Sequence, residues 1–208
     1  TAAIRDLDEA ARSAGVLLLN ETGFDPGIDH MTAMKTIRRL QREGAIVRKF
    51  TSAAAGLPAP EADTNPWHYK FSWSPRGVIA AAGADARFLR DGSIVEVPGR
   101  DLHRYVSPYQ VKDLGTLEIY PNRDSLLYRD LYGLHDATGL FRGTLRYPGW
   151  MKTIAAAAKL GWLDPETRQW PPGTTFADVS SASPAELDGD VARRFEWAGF
   201  FSDAPIEI

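Results

Sequence analysis

The chain has 208 residues, of which 44% are hydrophobic and 25% are charged, with a formal net charge of −3. This composition suits a globular protein and offers no basic excess for a nucleic-acid partner. Its longest apolar runs, 15–19 and 155–158, fall far short of the roughly 20 residues of a membrane span. Because the sequence contains no cysteine, disulfides, thiolate metal ligands and a cysteine nucleophile are excluded. We expect no nucleic acid, no membrane association and a cytoplasmic location.

The N-terminal segment is typical of the end of a doubly wound sheet. Residues 3–14 place apolar side chains on one helical face, and Gly15 ends this helix. Val16–Asn20 is a short apolar run, which predicts a buried parallel strand. One helix and one strand cannot form a sheet. We therefore assign residues 1–20 to the end of a Rossmann-like nucleotide-binding domain, and expect the rest of that domain upstream of Thr1.

A turn rich in glycine joins this strand to a second predicted helix. Asp25 suits the N-cap and Pro26 the first helical position, and the amphipathic pattern continues to Gly44. Ligands bind at such strand-to-helix edges in open α/β sheets, helix N-termini attract anions, and Gly23 allows a ligand close to the backbone. The alternative is that the glycines and Pro26 only shape a turn.

The middle of the chain predicts a strand within residues 45–55, a proline-rich loop, a helix from Arg76 to Ala84 and a hairpin. The hairpin pairs 87–89 with 94–97 around an Asp-Gly turn. In the segment YKFSWSPRG, Lys70 and Arg76 flank aromatic residues, and a guanidinium fork suits a carboxylate. The alternative is an aromatic core segment that carries a surface arginine.

The C-terminal part predicts a strand over Gly139–Arg146, a helix over Pro148–Leu160, a loop-rich stretch and a last helix over 191–200. On the predicted strand, Arg142 and Arg146 share one face. Because strands and helices mix without strict alternation, the sequence predicts an α+β fold with a mixed or antiparallel sheet covered by helices on one face.

Neither a metal nor a nucleotide motif is present. The four histidines have no paired spacing, so no metal is expected. There is no GxGxxG, Walker or GxSxG motif. No side chain stands out as a proton donor, so the catalytic residues remain unassigned.

Five segments, in this order, resemble the saccharopine reductases (NADP-dependent, L-glutamate-forming saccharopine dehydrogenases) and the matching part of the aminoadipic semialdehyde synthases. They are LNETGFDPGIDHMTAMKTI, AGLPAPEADTNPWHYKFSWSPRGV, DGSIVEV, YPNRDS and RGTLRYPGWMK. The resemblance covers about residues 16–163. It implies a substrate-binding and dimerisation domain at 21–163, a small loop-rich helical region at 164–208 and a homodimer. It also implies NADP bound mostly by a domain absent from this chain.

The implied reaction joins glutamate and aminoadipate semialdehyde as an imine and reduces it with NADPH to saccharopine, or runs in reverse. The resemblance also implies site residues. Those expected at the substrate are Gly23, Arg76 and the strand end Glu96, Val97 and Pro98; those expected near the nicotinamide are Asp25 and Pro26. Arg123 and Arg146 are further substrate candidates on charge grounds alone. This chain departs from the family at 53–56, where Ala-Ala-Ala-Gly replaces the frequent Tyr-Cys-Gly-Gly.

Two alternatives remain open at this stage. The first is a related enzyme that acts on a polyamine conjugate such as carboxynorspermidine, which would favour acidic groups around the cleft. The second is a binding or oligomerisation module with no turnover of its own.

Overall fold

The computed structural model describes residues 2–164, 166 and 168–206. The chain divides into two compact units, Thr1–Ile46 and Val47–Ile208. The described helices include none that is long and apolar enough to cross a bilayer.

The first unit contains the helices α1 (Ala2–Arg5), α2 (Asp8–Ser13) and α3 (Ile28–Arg42). The single helix predicted over 3–14 is thus interrupted between α1 and α2. The strand predicted over Val16–Asn20 does not form, and Leu17 is 82% exposed. No described strand pairs with this segment, and a lone strand cannot bury its apolar side chains.

The N-terminus of α3 also differs from the prediction. Its N-cap is Gly27 rather than Asp25. Gly23 and Gly27 form a bridge that holds Asp25 and Pro26 in a tight turn, so the helix begins two residues later than Pro26. A Cβ on Gly27 would lie 2.1 Å from the Gly23 carbonyl oxygen, so only glycine fits this turn.

The second unit is built on a six-stranded mixed sheet. The strands are β1 (Lys49–Ala54), β2 (Ala86–Arg90), β3 (Ser93–Val97), β4 (Ser107–Val111), β5 (Gly115–Pro121) and β6 (Gly139–Arg146). The order is β3-β2-β6-β5-β4, and β1 pairs in parallel with β6. All other pairs are antiparallel. The predicted β2–β3 hairpin is confirmed.

The helices of this unit are α4 (Pro75–Ala82), α5 (Leu127–Leu131), α6 (Trp150–Lys159), α7 (Phe176–Ser180) and α8 (Gly189–Trp197). The described residues of this unit also form 3-10 turns at Pro60–Ala62, Gly99–Tyr105 and Pro184–Glu186. The turn at 99–105, β4 and α7 were not predicted.

The core lies on both faces of the sheet. On one face Phe88 and Tyr120 are buried with Met151 and Ile154 of α6. The opposite face buries a second set, Leu117, Ile119 and Leu145. On another side of α6, Ala157 is buried with Val191 and Phe195 of α8. A mixed sheet covered by helices, the predicted α+β fold, is therefore confirmed.

Candidate functional site

The turn before α3 exposes Gly23, Asp25 and Pro26. Its backbone groups are largely used within the turn, since the Gly23 N–H donates to the Pro26 carbonyl at 3.1 Å. The Gly27 N–H donates to the Asp29 carboxylate at 2.7 Å. The N-terminus of α3 is thus partly neutralised by its own aspartate. The turn presents a compact surface rather than an open ring of amides.

An exposed aromatic and cationic surface surrounds the start of α4. We call it the Arg76 surface, and it consists of Lys70, Phe71, Trp73 and Arg76, all exposed. Trp73 lies over the first turn of α4, because a Cβ on Gly77 would come within 2.5 Å of the indole ring. Ser74 caps the helix by accepting the Gly77 N–H at 3.2 Å.

Arg76 is the group of this surface best suited to an anion. It occupies the first turn of α4, where the helix dipole is positive and disfavours a cation. Among the described residues, Arg76 forms no ion pair with a carboxylate. The guanidinium and the helix N-terminus therefore add their positive potentials, and an incoming carboxylate would relieve both.

The predicted strand end, Glu96 to Pro98, lies at the other end of α4. Val97 is buried, whereas Glu96 and Pro98 are exposed. The next residue, Gly99, lies against the C-terminal end of α4, where an added Cβ would be 1.8 Å from the Gly83 carbonyl oxygen. An eight-residue helix is about 12 Å long, so α4 separates this strand end from Arg76.

The loop that contains Arg123 is connected to the same strand end by contacts of Arg87. Arg123 is exposed, has a φ of 52° and accepts the Arg87 N–H at 2.9 Å through its carbonyl. The Arg87 guanidinium lies 3.6 Å from Glu96 and 3.8 Å from Asp124. Arg87 therefore connects two predicted site segments, although the sequence analysis did not single it out. The signal was available, because Arg87 and Glu96 face each other across the predicted hairpin.

A buried cluster forms around Arg146, which the sequence analysis considered on charge alone. Its guanidinium lies 4.9 Å from the ring centroid of Tyr69 and 5.2 Å from that of Trp150. Burial raises the pKa of the neighbouring Tyr120, while the Arg146 charge acts in the opposite direction. The Thr144 hydroxyl and the Trp150 indole also lie beside this phenol, yet Trp150 Nε1 has no hydrogen-bond partner of ordinary geometry.

One further pair of polar side chains precedes the Arg76 surface. His68 Nδ1 and Asp63 Oδ2 are 2.7 Å apart, so the carboxylate orients the ring. Within the described part of the chain, no group of three potential metal ligands converges. The pair thus offers an oriented imidazole without a metal site.

The described residues do not fit a dinucleotide site of their own. A pyrophosphate needs a glycine-rich turn between a buried parallel strand and a helix. Among the described strands the parallel pair is β1–β6, and the α3 N-terminus is occupied by Asp29. Asp25 and Pro26 lie on the exposed side of the turn before α3.

Comparison with known proteins gives consistent matches. A family described as the saccharopine dehydrogenase C-terminal domain matches residues 23–206. The saccharopine dehydrogenase [NADP(+), L-glutamate-forming] of Schizosaccharomyces pombe is 37% identical over 227 residues, covering 97% of this chain and 50% of that protein. The alpha-aminoadipic semialdehyde synthase of Arabidopsis thaliana is 46% identical over 166 residues, covering 78% of this chain and 16% of that protein.

A solved structure agrees with these matches. The apo saccharopine dehydrogenase (L-Glu forming) from Saccharomyces cerevisiae superposes with a TM-score of 0.82 at 35% identity, covering 99% of this chain and 52% of that one. The chain thus spans about half the length of the curated saccharopine dehydrogenases it matches.

Proposed function

Because this chain belongs to the saccharopine dehydrogenase C-terminal domain family, we propose that it is the substrate-binding part of an NADP-dependent oxidoreductase. The proposed reaction interconverts saccharopine with glutamate and aminoadipate semialdehyde in lysine metabolism. The observation that carries this proposal is Arg76, an exposed guanidinium at a helix N-terminus that no carboxylate of the described chain neutralises.

The chemistry of saccharopine matches the Arg76 surface. Saccharopine carries three carboxylates, and a guanidinium binds a carboxylate through two parallel hydrogen bonds. Phe71 and Trp73 offer an apolar wall for the methylene chain between the charged groups. The segment 69–77 contains no acidic residue, which the polyamine alternative would favour.

The other predicted residues complete the proposal. We propose that Gly23 and the Glu96–Pro98 strand end meet the substrate, and that Arg123 supplies a second cation. Val97 is buried, so it would contribute its backbone alone. Asp25 and Pro26 would lie near the nicotinamide. Because the described residues build no pyrophosphate site, we expect NADP(H) to be bound mostly outside this chain.

In the proposed reaction, NADP(H) bound mostly outside this chain would supply or accept the hydride at the carbon–nitrogen bond. The task of this chain is then to hold the substrate carboxylates so that this carbon faces the cofactor. Neither the sequence nor the described structure assigns a proton donor, so we attribute the contribution of this chain mainly to positioning.

Replacement of Arg76 tests the proposal directly. Arg76→Ala should lower kcat/KM for NADP+-dependent saccharopine oxidation by about 30-fold or more, because a charge-assisted pair is worth about 2 kcal/mol. The protein should be expressed from its complete gene and assayed at steady state. Arg76 has no ion pair in the described chain, so the melting temperature should stay unchanged.

Arg193→Ala is the matched control, since Arg193 is an exposed arginine that pairs with Asp190 on α8. It should leave kcat/KM as it is. An unchanged kcat/KM in Arg76→Ala would remove Arg76 from the site. Absence of saccharopine oxidation by the unmodified protein would overturn the proposed function itself.

We also propose that the protein is a homodimer. Tyr109 on the edge strand β4 and the nearby Leu114 are both exposed, as is Ile94 on the opposite edge strand β3. Open edge strands with apolar side chains favour pairing with a second copy. Light scattering coupled to size-exclusion chromatography should give twice the mass of one chain, and a monomeric mass would contradict the proposal.

A further inference from the structure

Arg146 is a buried cation without a counter-charge in contact. The residue is 6% exposed, and Nη1 donates to the Leu145 carbonyl at 2.8 Å. Its Nε has no hydrogen-bond partner. Among the described residues no carboxylate oxygen lies within 4.0 Å of this guanidinium. A buried charge without a partner raises the free energy of the folded state. A hydrogen-bond acceptor placed at Arg146 Nε would therefore stabilise the protein.

Two neighbouring side chains, Tyr69 and Trp150, also carry buried hydrogen-bond donors. Tyr69 Oη is buried and also has no hydrogen-bond partner, and the buried Trp150 Nε1 has none of ordinary geometry, although the Tyr120 hydroxyl lies beside it. The Tyr69 and Trp150 rings lie 4.8 Å apart and both contact the Arg146 guanidinium. An indole N–H and a guanidinium N–H can only donate, and a phenol can donate. Arg146 Nε and Tyr69 Oη therefore lack acceptors, whereas the indole N–H has the Tyr120 hydroxyl beside it.

Glu118 is the carboxylate that the sheet brings opposite Arg146, in the register of β5 and β6. It is already used, because its oxygens accept the N–H groups of Gly149 and Met151 at 2.6 and 3.4 Å. These two amides belong to the N-terminus of α6, which carries partial positive charge of its own.

A second buried guanidinium, Arg194, is influenced by the charge of Asp190 and, to a smaller extent, by that of Glu118. Unlike Arg146, it is fully bonded, since it donates to the carbonyls of Pro66 and Pro148 and to the Thr153 hydroxyl. Arg194 thus has three carboxylates nearby, Asp190, Glu118 and Asp188. Arg146 is the buried cation of this region whose Nε has no hydrogen-bond partner.

We propose that Arg146, Tyr69 and Trp150 bind a small monovalent anion, either a halide or the carboxylate of a small acid. All three residues are at least nine-tenths buried, which restricts the occupant to a compact anion. This buried site adjoins the Arg76 surface through the contact of the Tyr69 and Phe71 rings, 5.5 Å apart, and it does not require the proposed dehydrogenase activity. The anion would lie beside the Arg146 charge and accept the unused hydrogens of Arg146 Nε and Tyr69 Oη.

The test compares melting temperatures in sodium chloride, sodium acetate and sodium gluconate at equal ionic strength. Gluconate is the size control, because it carries a carboxylate on a chain too bulky for a buried site. Chloride or acetate should raise the melting temperature by about 3 °C or more at ten times its dissociation constant, in a saturable manner. A larger shift in chloride identifies a halide site, and a larger shift in acetate identifies a carboxylate site.

Tyr69→Phe separates anion binding from a merely unsatisfied hydroxyl. It keeps the ring over Arg146 and removes one donor, whereas Arg146→Met risks loss of the fold. If the site binds an anion, Tyr69→Phe should lose at least half of the anion-dependent shift. If the hydroxyl is only unsatisfied, Tyr69→Phe should change the melting temperature equally in all three salts, which would overturn the proposal. Tyr109→Phe, at an exposed tyrosine of β4, is the matched control and should keep the full shift.

Bromide locates the site directly. In crystals grown or soaked in sodium bromide, an anomalous peak should appear beside Arg146 Nε and Tyr69 Oη if the occupant is a halide. For a carboxylate occupant, acetate crystals should show its density there instead. Absence of both at saturating concentrations would refute the proposal.

Discussion

Arg194 joins distant segments of the larger unit through main-chain acceptors. Its guanidinium donates to the Pro66 carbonyl before the Arg76 surface, and to the Pro148 carbonyl and the Thr153 hydroxyl around the start of α6. Burial lowers the pKa of Arg194, and the nearby acidic groups oppose this effect. Acceptors on a loop, a helix start and a helix turn thus depend on one side chain.

Arg194→Met should lower the free energy of unfolding by about 3 kcal/mol or more. The change removes several charge-assisted hydrogen bonds and leaves buried carbonyls without donors. Urea denaturation measures the effect. The adjacent Arg193→Ala should change stability by no more than about 0.5 kcal/mol, because its ion pair with Asp190 is exposed. Equal effects of the two substitutions would contradict this role of Arg194.

At the scale of elements, α6 and α8 are connected by an ion pair that also caps a helix. Lys152 on α6 lies 2.8 Å from the Asp188 carboxylate, which accepts the Asp190 N–H at the start of α8. The hydrogen bond from Lys152 is the main reason that the pKa of Asp188 is held below its ordinary value. The same carboxylate therefore serves two elements.

The pH dependence of this contact has a defined sign. The pKa of Asp188 is lower in the folded state than in the unfolded state. The ion pair with Lys152 therefore stabilises the fold above the ordinary aspartate pKa of about 4. This stabilisation is lost as the pH falls through the pKa that Asp188 has in the folded state. Lys152→Met should raise the pKa of Asp188 towards the ordinary value, as measured by carboxyl-carbon NMR titration. Lys159→Met, on the same helix, should leave that pKa unchanged; a shift there would point to a general charge effect.

The contact between the end of β3 and the end of α4 makes a second element-scale prediction. Gly99→Ala should destabilise the protein by about 1–3 kcal/mol, because the new Cβ would overlap the Gly83 carbonyl and force the strand end away from α4. Thermal unfolding of both variants measures the effect. Gly83→Ala meets nothing within 4 Å and should be nearly neutral. The reverse order of stabilities would show that the contact is relaxed in solution.

Elements with a strong pattern of their own were predictable from sequence. The full extent of β6, Gly139–Arg146, follows from its apolar and β-favouring residues. The edge strand β4 was missed, because Ser107–Val111 has little apolar signal and is defined by pairing with β5. The strand predicted at Val16–Asn20 is wrong for the opposite reason, since its apolar pattern finds no partner among the described strands.

Some features of the candidate site could likewise be predicted from the sequence, and others could not. The position of Arg76 at a helix start could be predicted, because Ser74 and Pro75 beside it mark the N-terminus of α4 in the sequence. The Arg146 cluster could not, because Tyr69 is 77 positions before Arg146 and only the folded sheet brings their side chains together. Local patterns thus reveal a group at a helix end, whereas a buried charge and its neighbours require the tertiary structure.

At the scale of the whole molecule, protection of the backbone should differ sharply along the chain. Strand β6 pairs with β1, β2 and β5, so its amides should exchange with solvent only on extensive unfolding. Leu17 to Asn20 are exposed and outside any described strand. In the 208-residue chain their amides should exchange within seconds by mass spectrometry. Protection of this segment equal to that of β6 would contradict the structure.

The position of β6 in the chain also bears on how the protein is made on the ribosome. The β2–β3 and β4–β5 hairpins pair locally, but the only described partner of β1 is β6, about 90 residues later. At about 5–20 residues per second, β1 waits roughly 5–20 s during synthesis before its partner exists. Throughout that interval its hydrogen-bonding groups are open to other chains. We therefore expect a molecular chaperone to bind newly made β1 during this interval.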